Sequence, residues 1–451
     1  MEDTITAIAT SLGVGAISII RVSGSEAINI VNKITKFKKL ALAASHTIHY
    51  DYIISDNHLI DEVLITVMLA PKTFTKEDIV EINCHGGIAT TNKILELLLI
   101  NGCRLAQPGE FTKRAFLNGR IDLIEAEGVM DLINSKTDKA RSLALNQIKG
   151  KVSQLIENLR QQILEILANI EVNIDYPEYE DIEQVTNKIL LKKIINIEQQ
   201  INDIIIKSEN GIIVKEGINV ALVGRPNVGK SSLLNCLLET NKAIVTSIAG
   251  TTRDCVEGTL IIDGIVFNLI DTAGIRKTDD LVEKIGVTKS IDLIDEASLI
   301  LLLLNGNESL QPEDIELLNK LKNKNYIVVV NKNDLEIKLD INKLDINKTV
   351  YISALNNEGI DTLKNKIKEI FNLEQIETDD LTYLSNARCL SLLKQSYQAI
   401  GDLKQGINNN LPIDILEIDL KNIWNLLGSI IGQTYEDELI DQLFSQFCLG
   451  K

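Results

Sequence analysis

The sequence is poor in aromatic residues, in proline and in long apolar runs. Aromatic residues make up 4% of its 451 residues and there are six prolines, which favours a helix-rich globular protein. The longest apolar run, Leu299 to Leu304, has six residues, whereas a transmembrane helix needs about 20. The first residues, Met1 to Thr4, are acidic and lack the layout of a signal peptide. We therefore expect a cytoplasmic protein without membrane insertion.

Paired cysteines and an excess of positive charge are also missing. The six cysteines, at positions 84, 103, 236, 255, 389 and 448, show no C-x-x-C or other paired spacing, which favours reduced thiols. The net charge is −17, which disfavours nonspecific adhesion to nucleic acid, so an RNA contact would need a local basic patch. The length predicts about two to four domains.

The most informative stretch is typical of a phosphate-binding loop. The apolar run Ile218 to Val223 leads into Gly224-Arg225-Pro226-Asn227-Val228-Gly229-Lys230-Ser231, which matches G-x-x-x-x-G-K-S and precedes a predicted helix. The glycines let backbone N–H groups surround phosphate oxygens, Lys230 reaches the β- and γ-phosphates, and the Ser231 hydroxyl ligates Mg²⁺.

Four further motifs follow in the order that a guanine-nucleotide site requires. Three of them end a predicted strand, and a doubly wound sheet binds nucleotides at the carboxyl ends of its strands. Asp334 can accept hydrogen bonds from guanine N1–H and the exocyclic amine, whereas adenine would leave it unpaired. The set resembles the G motifs of small GTPases and predicts GTP binding. The motifs are Gly250-Thr251-Thr252-Arg253-Asp254, Asp271-Thr272-Ala273-Gly274, Asn331-Lys332-Asn333-Asp334 and Ser353-Ala354-Leu355.

Residues 1–118 predict an α+β unit. Short β-branched runs bounded by turn residues indicate strands, and one run, Ile88 to Ile100, has helical periodicity; we expect one or two helices here. Arg21 and Glu81 lie at strand ends, where such residues are solvated or paired with each other, and His85 is a turn or catalytic histidine. The predicted strands are Thr4 to Thr10, Ala16 to Val22, His46 to Ile54, Glu62 to Leu69 and Ile79 to Asn83.

The remaining flanks of the nucleotide module predict helices. In residues 119–212, a long helix ends near Tyr176 and a second, about Val185 to Ser208, ends before Gly211. Helical patterns return over Leu381 to Ile407 and Pro412 to Leu427. The nucleotide module, residues 213–374, is then inserted between two halves of one helical domain, 119–212 and 375–451. Two separate helical linkers are the alternative.

The whole layout resembles the MnmE (TrmE) family of tRNA-modification GTPases. The likeness rests on Glu81 to Gly87, Gln107 to Gly119, the phosphate loop and the final Cys448-Leu449-Gly450-Lys451. It implies a multidomain α/β plus α+β protein: an N-terminal α+β domain (1–118) that binds tetrahydrofolate and dimerises, a discontinuous α-helical domain, and an inserted Ras-like P-loop GTPase domain with a doubly wound sheet.

The resemblance also implies an activity and partners. A homodimer would form a heterotetramer with the FAD-binding protein MnmG and act on tRNA. Together they would install an aminomethyl-type group, commonly carboxymethylaminomethyl, at C5 of the wobble uridine. The one-carbon unit would come from a 5-formyl or 5,10-methylene tetrahydrofolate. A ribosome-assembly GTPase of the Era type and a folate-binding one-carbon transferase are the alternatives, but neither accounts for all three segments.

The resemblance assigns roles to individual residues. Folate contacts would be Arg21, Glu81, Arg120 and Lys451, although the family often has lysine at position 120. Cys448 would lie near the one-carbon unit as a catalytic or a structural residue. Ile275 stands where Ras-type GTPases place the glutamine that orients water, and an apolar side chain cannot do this. The resemblance implies that Glu283 replaces it.

The family uses a bound K⁺ in place of an arginine finger. The K⁺ ligands would be Asn227, Thr246, Ile248 and Thr251, and Mg²⁺ would be held by Ser231 and Thr252. All expected GTP contacts lie in the motifs above or in the loop before them. They are Asn227, Val228, Gly229, Lys230, Ser231, Ser232, Thr246, Ser247, Ile248, Ala249, Gly250, Thr251, Thr252, Asp271, Thr272, Ala273, Gly274, Asn331, Lys332, Asp334, Ser353, Ala354 and Leu355.

Overall fold

The computed structural model contains two six-stranded sheets and thirteen α-helices within the residues it describes, which are 3–175, 187–240, 256–270, 297–371, 373, 381–434, 437–447 and 450. The strands are β1 (Ile5–Ile8), β2 (Ile17–Ser23), β3 (Thr47–Ser55), β4 (His58–Met68), β5 (Ile79–His85), β6 (Arg104–Leu105), β7 (Ile218–Val223), β8 (Val256–Ile262), β9 (Ile265–Ile270), β10 (Leu299–Asn305), β11 (Tyr326–Asn331) and β12 (Thr349–Tyr351). The helices are α1 (Ala27–Ile34), α2 (Ile88–Ile100), α3 (Glu110–Leu117), α4 (Leu123–Asn134), α5 (Asp138–Ile148), α6 (Lys151–Asp175), α7 (Asn187–Glu216), α8 (Lys230–Thr240), α9 (Pro312–Lys320), α10 (Ile360–Ile370), α11 (Ala387–Asn408), α12 (Ile413–Ile431) and α13 (Asp437–Ser445).

The chain divides into two compact units. The first unit is Met1–Ile133, Gln147–Ile201 and Ser391–Lys451, and the second is Asn134–Asn146 and Asn202–Leu390. The domain boundaries predicted from the sequence stay predictions. No helix in the described part of the chain is both long and apolar enough to span a membrane.

The sheet of the first unit has the strand order β3-β4-β5-β2-β1-β6. Its neighbours are antiparallel except β1 and β6, which are parallel. Alternation along β2 buries Ile20 and Val22 in the core, as the period of two requires. Arg21 therefore faces away from this core. The predicted strands are confirmed. The region has three helices where one or two were predicted, because α1 and α3 are each only eight residues long, too short to give a clear helical periodicity.

The helical domain joins segments from both sides of the insertion, as predicted. Val152, Ile156, Leu159 and Ile163 are buried along α6 and give it one apolar face. On the same helix, the Arg160 guanidinium lies 4.2 Å from the Trp424 ring centroid of α12, and its Nε donates to the Trp424 carbonyl at 3.4 Å. This contact spans 264 residues of sequence.

The two largest errors in the predicted helix boundaries are the end of α7 and the start of α11. Helix α7 was predicted to end before Gly211, but it continues through this residue to Glu216. A Cβ at Gly211 would lie 2.6 Å from the Leu384 carbonyl oxygen, so this glycine allows close packing and does not end the helix. The helix ends at Gly217, which has a φ of +81° and donates to the Ile213 carbonyl. Helix α11 begins only after Asn386, whose side chain accepts from the Arg388 backbone N–H at 2.8 Å.

The second sheet has the order β12-β11-β10-β7-β9-β8 and is parallel except for β8 against β9. Every residue of β10 is buried, because helices or loops cover both faces of a doubly wound sheet. The register pairs Asn305 with Asn331 and Val330 with Tyr351, so the carboxyl ends of β10, β11 and β12 lie at one edge. This is the edge at which ligand loops are expected.

Candidate functional site: a phosphate loop and an arginine cluster

The loop between β7 and α8 is bent by residues with positive φ. Gly224, Asn227 and Gly229 have φ values of +153°, +63° and +101°, a region open to glycine and, among other residues, most readily to asparagine. The Lys230 N-terminus of α8 follows directly. The backbone therefore forms the inward-turned loop at a helix N-terminus that binds phosphate.

Two close approaches make glycine necessary in this loop. A Cβ at Gly229 would lie 2.1 Å from Asn331 Nδ2, and one at Gly224 would lie 2.5 Å from the Leu303 carbonyl oxygen. The second contact is with the main chain of β10, which cannot shift without disturbing the sheet. Both glycines thus let the loop lie against the ends of β10 and β11, and the cradle fits the phosphates of a nucleotide.

Lys230 is held by the loop itself. Its Nζ donates to the Gly224 carbonyl at 2.5 Å and to the Arg225 carbonyl at 3.1 Å, and burial lowers the pKa of the ammonium. An ammonium has three donors, so one remains for a phosphate oxygen. Ser231 and Ser232 are exposed at the start of α8, where the Ser231 hydroxyl can ligate Mg²⁺.

Asn331 links the phosphate loop to the loop after β12. Its Nδ2 donates to the Val228 carbonyl at 2.9 Å, and its Oδ1 accepts from the Ala354 backbone N–H at 3.0 Å. The side chain is buried, so both hydrogen bonds are made away from water. The structure thus gives this predicted GTP contact a supporting role between two loops.

The predicted base-recognition residues come together at the same edge. Ser353 Oγ donates to Asp334 Oδ1 at 2.6 Å, and Lys332 has a φ of +67°. A carboxylate has about four acceptor positions, so Asp334 keeps acceptors for guanine while Ser353 fixes its orientation. Leu355 is 84% exposed.

Arg225 is a residue of this site that the sequence analysis did not single out. Its Nε donates to both carboxylate oxygens of Asp314 at 3.0 Å, and its Nη2 donates to Glu308 at 2.9 Å. Asp314 is buried in the first turn of α9 and also accepts from the Gln311 N–H. The ion pair anchors the phosphate loop, but the partners are 83 and 89 residues away and no motif contains them.

Many predicted site residues lie outside the described residues, and the structure gives no geometry for them. These are Thr246, Ser247, Ile248, Ala249, Gly250, Thr251, Thr252, Asp271, Thr272, Ala273, Gly274, Glu283, Cys448 and Lys451.

In the first unit, Arg21 and Glu81 form an ion pair across β2 and β5. Arg21 Nε and Nη2 lie 2.8 and 2.7 Å from Glu81 Oε1, one of the two arrangements that the sequence predicted. Arg21 Nη1 donates to the Gly450 carbonyl at 3.1 Å, and the guanidinium lies 5.7 Å from the Phe111 ring centroid. Three distant segments therefore meet at Arg21.

Arg120 is connected to this group through aromatic packing. Its guanidinium lies 4.9 Å from the Phe74 ring centroid, and Phe74 packs against the cluster that contains Phe111. Lys76 Nζ donates to the carbonyls of Asn118 and Gly119 at 3.0 and 2.9 Å, which fixes the turn before Arg120. Two guanidinium groups thus lie on one apolar cluster, an arrangement that suits a planar ring and anionic groups.

His85 forms an exposed ion pair at the end of β5. Its Nδ1 lies 2.7 Å from Asp61 Oδ1, and its backbone N–H donates to Asp61 Oδ2 at 2.8 Å. The hydrogen bond to Asp61 raises the pKa of His85. This geometry fits a turn histidine, one of the two alternatives given by the sequence.

Comparison with known proteins identifies the family. The model of the MnmE helical domain matches residues 123–448, and the model of the GTP-binding protein TrmE N-terminus matches residues 4–120. The tRNA modification GTPase MnmE of Bacillus cytotoxicus is 52% identical over 455 residues, which cover 100% of this chain and 99% of that protein. The protein of the same name from Lactococcus lactis subsp. cremoris is 54% identical over 449 residues, with 100% and 98% coverage.

A solved structure is also similar in part: a variant of Aquifex aeolicus Era is 33% identical over 40% of this chain and 66% of that chain, with a TM-score of 0.26, too low to bear on the fold. The family models and the full-length identity are sufficient without it. The chain belongs to the MnmE (TrmE) family of tRNA-modification GTPases.

Proposed function

We propose that the chain is a K⁺-stimulated GTP hydrolase that acts with an FAD-dependent partner on tRNA. Together they install an aminomethyl-type group, carboxymethylaminomethyl, at C5 of the wobble uridine, with a tetrahydrofolate supplying the one-carbon unit. As a member of its family, the chain is a GTP-hydrolysing enzyme of tRNA modification. The K⁺ dependence, the folate, the homodimer, the MnmG partner and the cytoplasmic location are the finer parts of the proposal.

One observation carries the proposal: a single chain, 52% to 54% identical to MnmE proteins from end to end, contains both the phosphate loop and the Arg21 cluster. A nucleotide switch alone would need only the first. A folate-binding transferase would need only the second. Their presence in one chain supports a reaction in which nucleotide turnover controls one-carbon chemistry.

For hydrolysis, the chain's own residues bind and orient the nucleotide. Backbone N–H groups of Asn227 to Lys230 would bind the phosphates, the Lys230 ammonium would offset their charge, and Ser231 would hold Mg²⁺. Bound Mg²⁺ and K⁺ would supply positive charge that stabilises the transition state. Asn227 is exposed at a positive φ, which leaves its side-chain oxygen available as a hard ligand for K⁺. Glu283 would orient the attacking water.

For the folate, Arg21, Glu81 and Arg120 would bind and orient the reduced pterin and its anionic tail, with Lys451 closing the site. The bound folate would supply the one-carbon unit. Glu81 keeps acceptor positions beside its ion pair with Arg21, so it can accept from ring N–H donors. The apolar cluster that contains Phe111 and packs against Phe74 would exclude water from one face of the ring.

The K⁺ part is tested by steady-state GTP hydrolysis in KCl and in NaCl at equal ionic strength. We expect markedly faster turnover in KCl and no such difference in Asn227→Ala. Asn235→Ala, an exposed asparagine of α8, is the matched control and should behave as the unmodified chain. Equal rates of the unmodified chain in both salts would remove the K⁺ mechanism while leaving GTP binding intact.

The tRNA part is tested by mass spectrometry of wobble uridines in tRNA from cells that lack the chain. We expect the carboxymethylaminomethyl nucleoside to disappear and to return with the unmodified gene. Unchanged nucleosides would contradict the proposed biology even if GTP turnover were found.

A further inference from the structure

A second cationic surface of the first unit uses none of the residues assigned above. Four consecutive residues, Lys36 to Lys39, follow the end of α1 and are all exposed. They lie beside the exposed Tyr50 and the half-buried Tyr52 of β3. We call Lys36, Phe37, Lys38, Lys39, Tyr50 and Tyr52 the lysine–aromatic patch.

The aromatic rings of the patch are packed together and remain partly open to solvent. The ring centroids of Phe37 and Tyr52 are 6.0 Å apart, and those of Tyr50 and Tyr52 are 5.3 Å apart, both edge to face. Phe37 is 43% exposed and Tyr50 is 51% exposed. Exposed rings of this kind offer a stacking surface to a planar ligand.

The lysines of the patch are not paired with any carboxylate that the structure describes. Lys36 Nζ lies 5.1 Å from the Tyr52 ring centroid and 5.8 Å from that of Phe37, and Lys39 Nζ lies 5.9 Å from Phe37. Within the described part of the chain, none of the three lysines has a carboxylate at ion-pair distance. Although the chain has a net charge of −17, these lysines give the patch a local positive potential that attracts anions.

A buried carboxylate fixes the backbone of the patch. Asp51, which is buried in β3, accepts with Oδ1 from the backbone N–H groups of Phe37 at 3.1 Å and Tyr52 at 2.7 Å. The Lys36 N–H also donates to the Tyr52 carbonyl at 2.9 Å. The rings and cations are therefore held in place before any ligand arrives, which lowers the entropic cost of binding.

Besides the buried Asp51, an exposed acidic residue adjoins the patch. Glu62 of β4 pairs with Tyr52 across the two strands and is exposed. Its charge opposes anion binding at the patch, and this makes it useful as a test position.

We infer that the lysine–aromatic patch is an RNA-contact site, in which the lysines bind phosphates and an unpaired base stacks on Phe37 and Tyr50. Cations interleaved with exposed rings are the combination that binds single-stranded RNA. An acidic protein segment would be attracted by the lysines but would gain little from the open rings. The identification of the RNA as tRNA rests on the proposed function, whereas the RNA contact itself does not.

Fluorescence anisotropy with the purified full-length chain and a labelled, unmodified tRNA transcript, over a range of KCl concentrations, tests the inference. The triple variant Lys36→Ala, Lys38→Ala, Lys39→Ala should bind about tenfold or more weakly at low salt and reduce the salt slope by about two. Phe37→Leu should bind about fivefold or more weakly. Phe37→Tyr, which keeps a ring, should bind like the unmodified chain.

A matched control separates the patch from overall charge. The triple variant Lys188→Ala, Lys192→Ala, Lys193→Ala removes three exposed lysines of α7 and lowers the net charge equally, yet its affinity should stay within about twofold. Glu62→Gln should bind about twofold or more tightly, a gain that damage to the fold would not produce. GTP turnover should be the same in all these variants.

Four results would overturn the inference. Three concern affinity: no RNA binding by the unmodified chain, an equal loss of RNA affinity in the α7 triple variant, or unchanged RNA affinity in Phe37→Leu. The fourth is a changed oligomeric state of Phe37→Leu in size-exclusion chromatography, which would mark the patch as a protein interface. Failure of the proposed function is recognised separately. Cells lacking the chain would then keep normal wobble uridines, whatever the purified protein binds.

Discussion

Gly229 shows how tightly the phosphate loop is fitted to its neighbours. Its φ of +101° excludes most side chains, and the Asn331 amide occupies the space where a Cβ would lie. The residue thus meets two independent requirements, one of backbone conformation and one of space. A substitution must violate both.

Gly229→Ala should therefore lower nucleotide affinity by at least about tenfold and destabilise the second unit by about 1–3 kcal/mol. Titration with a fluorescent GDP analogue would measure the affinity, and thermal unfolding would measure the stability. The control is Gly401→Ala in α11, where a Cβ would have no atom within 4 Å. That substitution should stabilise the chain by about 0.5–1 kcal/mol, and unchanged affinity in Gly229→Ala would contradict the described contact.

His85 provides a pH-dependent test at the same scale. Asp61 raises its pKa above the ordinary value of 6.5, so the folded chain binds this proton more tightly than the unfolded chain. The stabilisation is fully present below pH 6.5 and is lost as the pH rises past the raised value. NMR titration of the histidine ring protons should show a raised midpoint for His85 that returns to about 6.5 in Asp61→Asn. An equal midpoint in both proteins would refute the ion pair.

At the scale of elements, Asn331 joins the end of β11 to two loops. In Asn331→Ala, the Val228 carbonyl and the Ala354 N–H would be left buried without these partners, at a cost of about 1–3 kcal/mol each. Asn331→Asp keeps an acceptor for Ala354 but places an oxygen against the Val228 carbonyl. We expect both variants to weaken GDP binding. Asn331→Asp should lose only the hydrogen bond to Val228 in the phosphate loop and keep the one from Ala354.

Hydrogen exchange measured by mass spectrometry would distinguish the two variants. In Asn331→Ala, protection should fall both in the phosphate loop and in the loop that contains Ala354. In Asn331→Asp it should fall mainly in the phosphate loop. Protection unchanged in both loops would show that Asn331 does not link them.

Much of the fold follows from local patterns, and the exceptions have physical causes. Alternating and buried runs such as β2 and β11 were predictable because a strand's period is short and its burial is uniform. Gly211 was misjudged as a helix end because its role depends on the Leu384 backbone, 173 positions further along the chain. Residues 381–386 were assigned to a helix, but Leu381, Tyr383 and Leu384 are buried in an extended segment that forms no helix.

The candidate site also contains residues that could be predicted from the sequence and residues that could not. Residues within motifs, such as Lys230 and Asp334, were predictable because the spacing itself specifies the chemistry. The anchoring of Arg225 by Asp314 and the aromatic support of Arg120 by Phe74 were not, because each depends on a contact between distant segments. The residues outside the described part of the chain stay predictions.

At the scale of the whole molecule, the first unit is completed by the far end of the sequence. Gly450 has a φ of +87°, and a Cβ there would lie 2.6 Å from the Ile8 carbonyl oxygen. Its own carbonyl accepts from Arg21. The tail is thus fitted against β1 by a glycine, and it reaches the same arginine that the proposed function assigns to folate.

Gly450→Ala should therefore weaken binding of reduced folate about tenfold or more while GTP turnover stays unchanged, because the strain falls at the tail. Isothermal titration calorimetry with 5-formyl tetrahydrofolate would measure the first effect and a phosphate-release assay the second. Gly13→Ala, where a Cβ would have no atom within 4 Å, is the matched control. Full folate affinity in Gly450→Ala would separate the tail from the folate site.

The contact between Arg21 and Gly450 also orders events during protein synthesis. The two residues are 429 positions apart, so at about 5–20 residues per second a ribosome needs roughly 20 to 90 seconds after making Arg21 before Gly450 exists. For about the second half of that interval, once residues 224–231 have been made, the phosphate loop can already be present while Arg21 still lacks its contact with Gly450. An mRNA truncated near the 3′ end of its coding region would therefore yield a protein that contains the phosphate loop but lacks this contact. Such a protein would bind GTP without supporting the proposed folate chemistry.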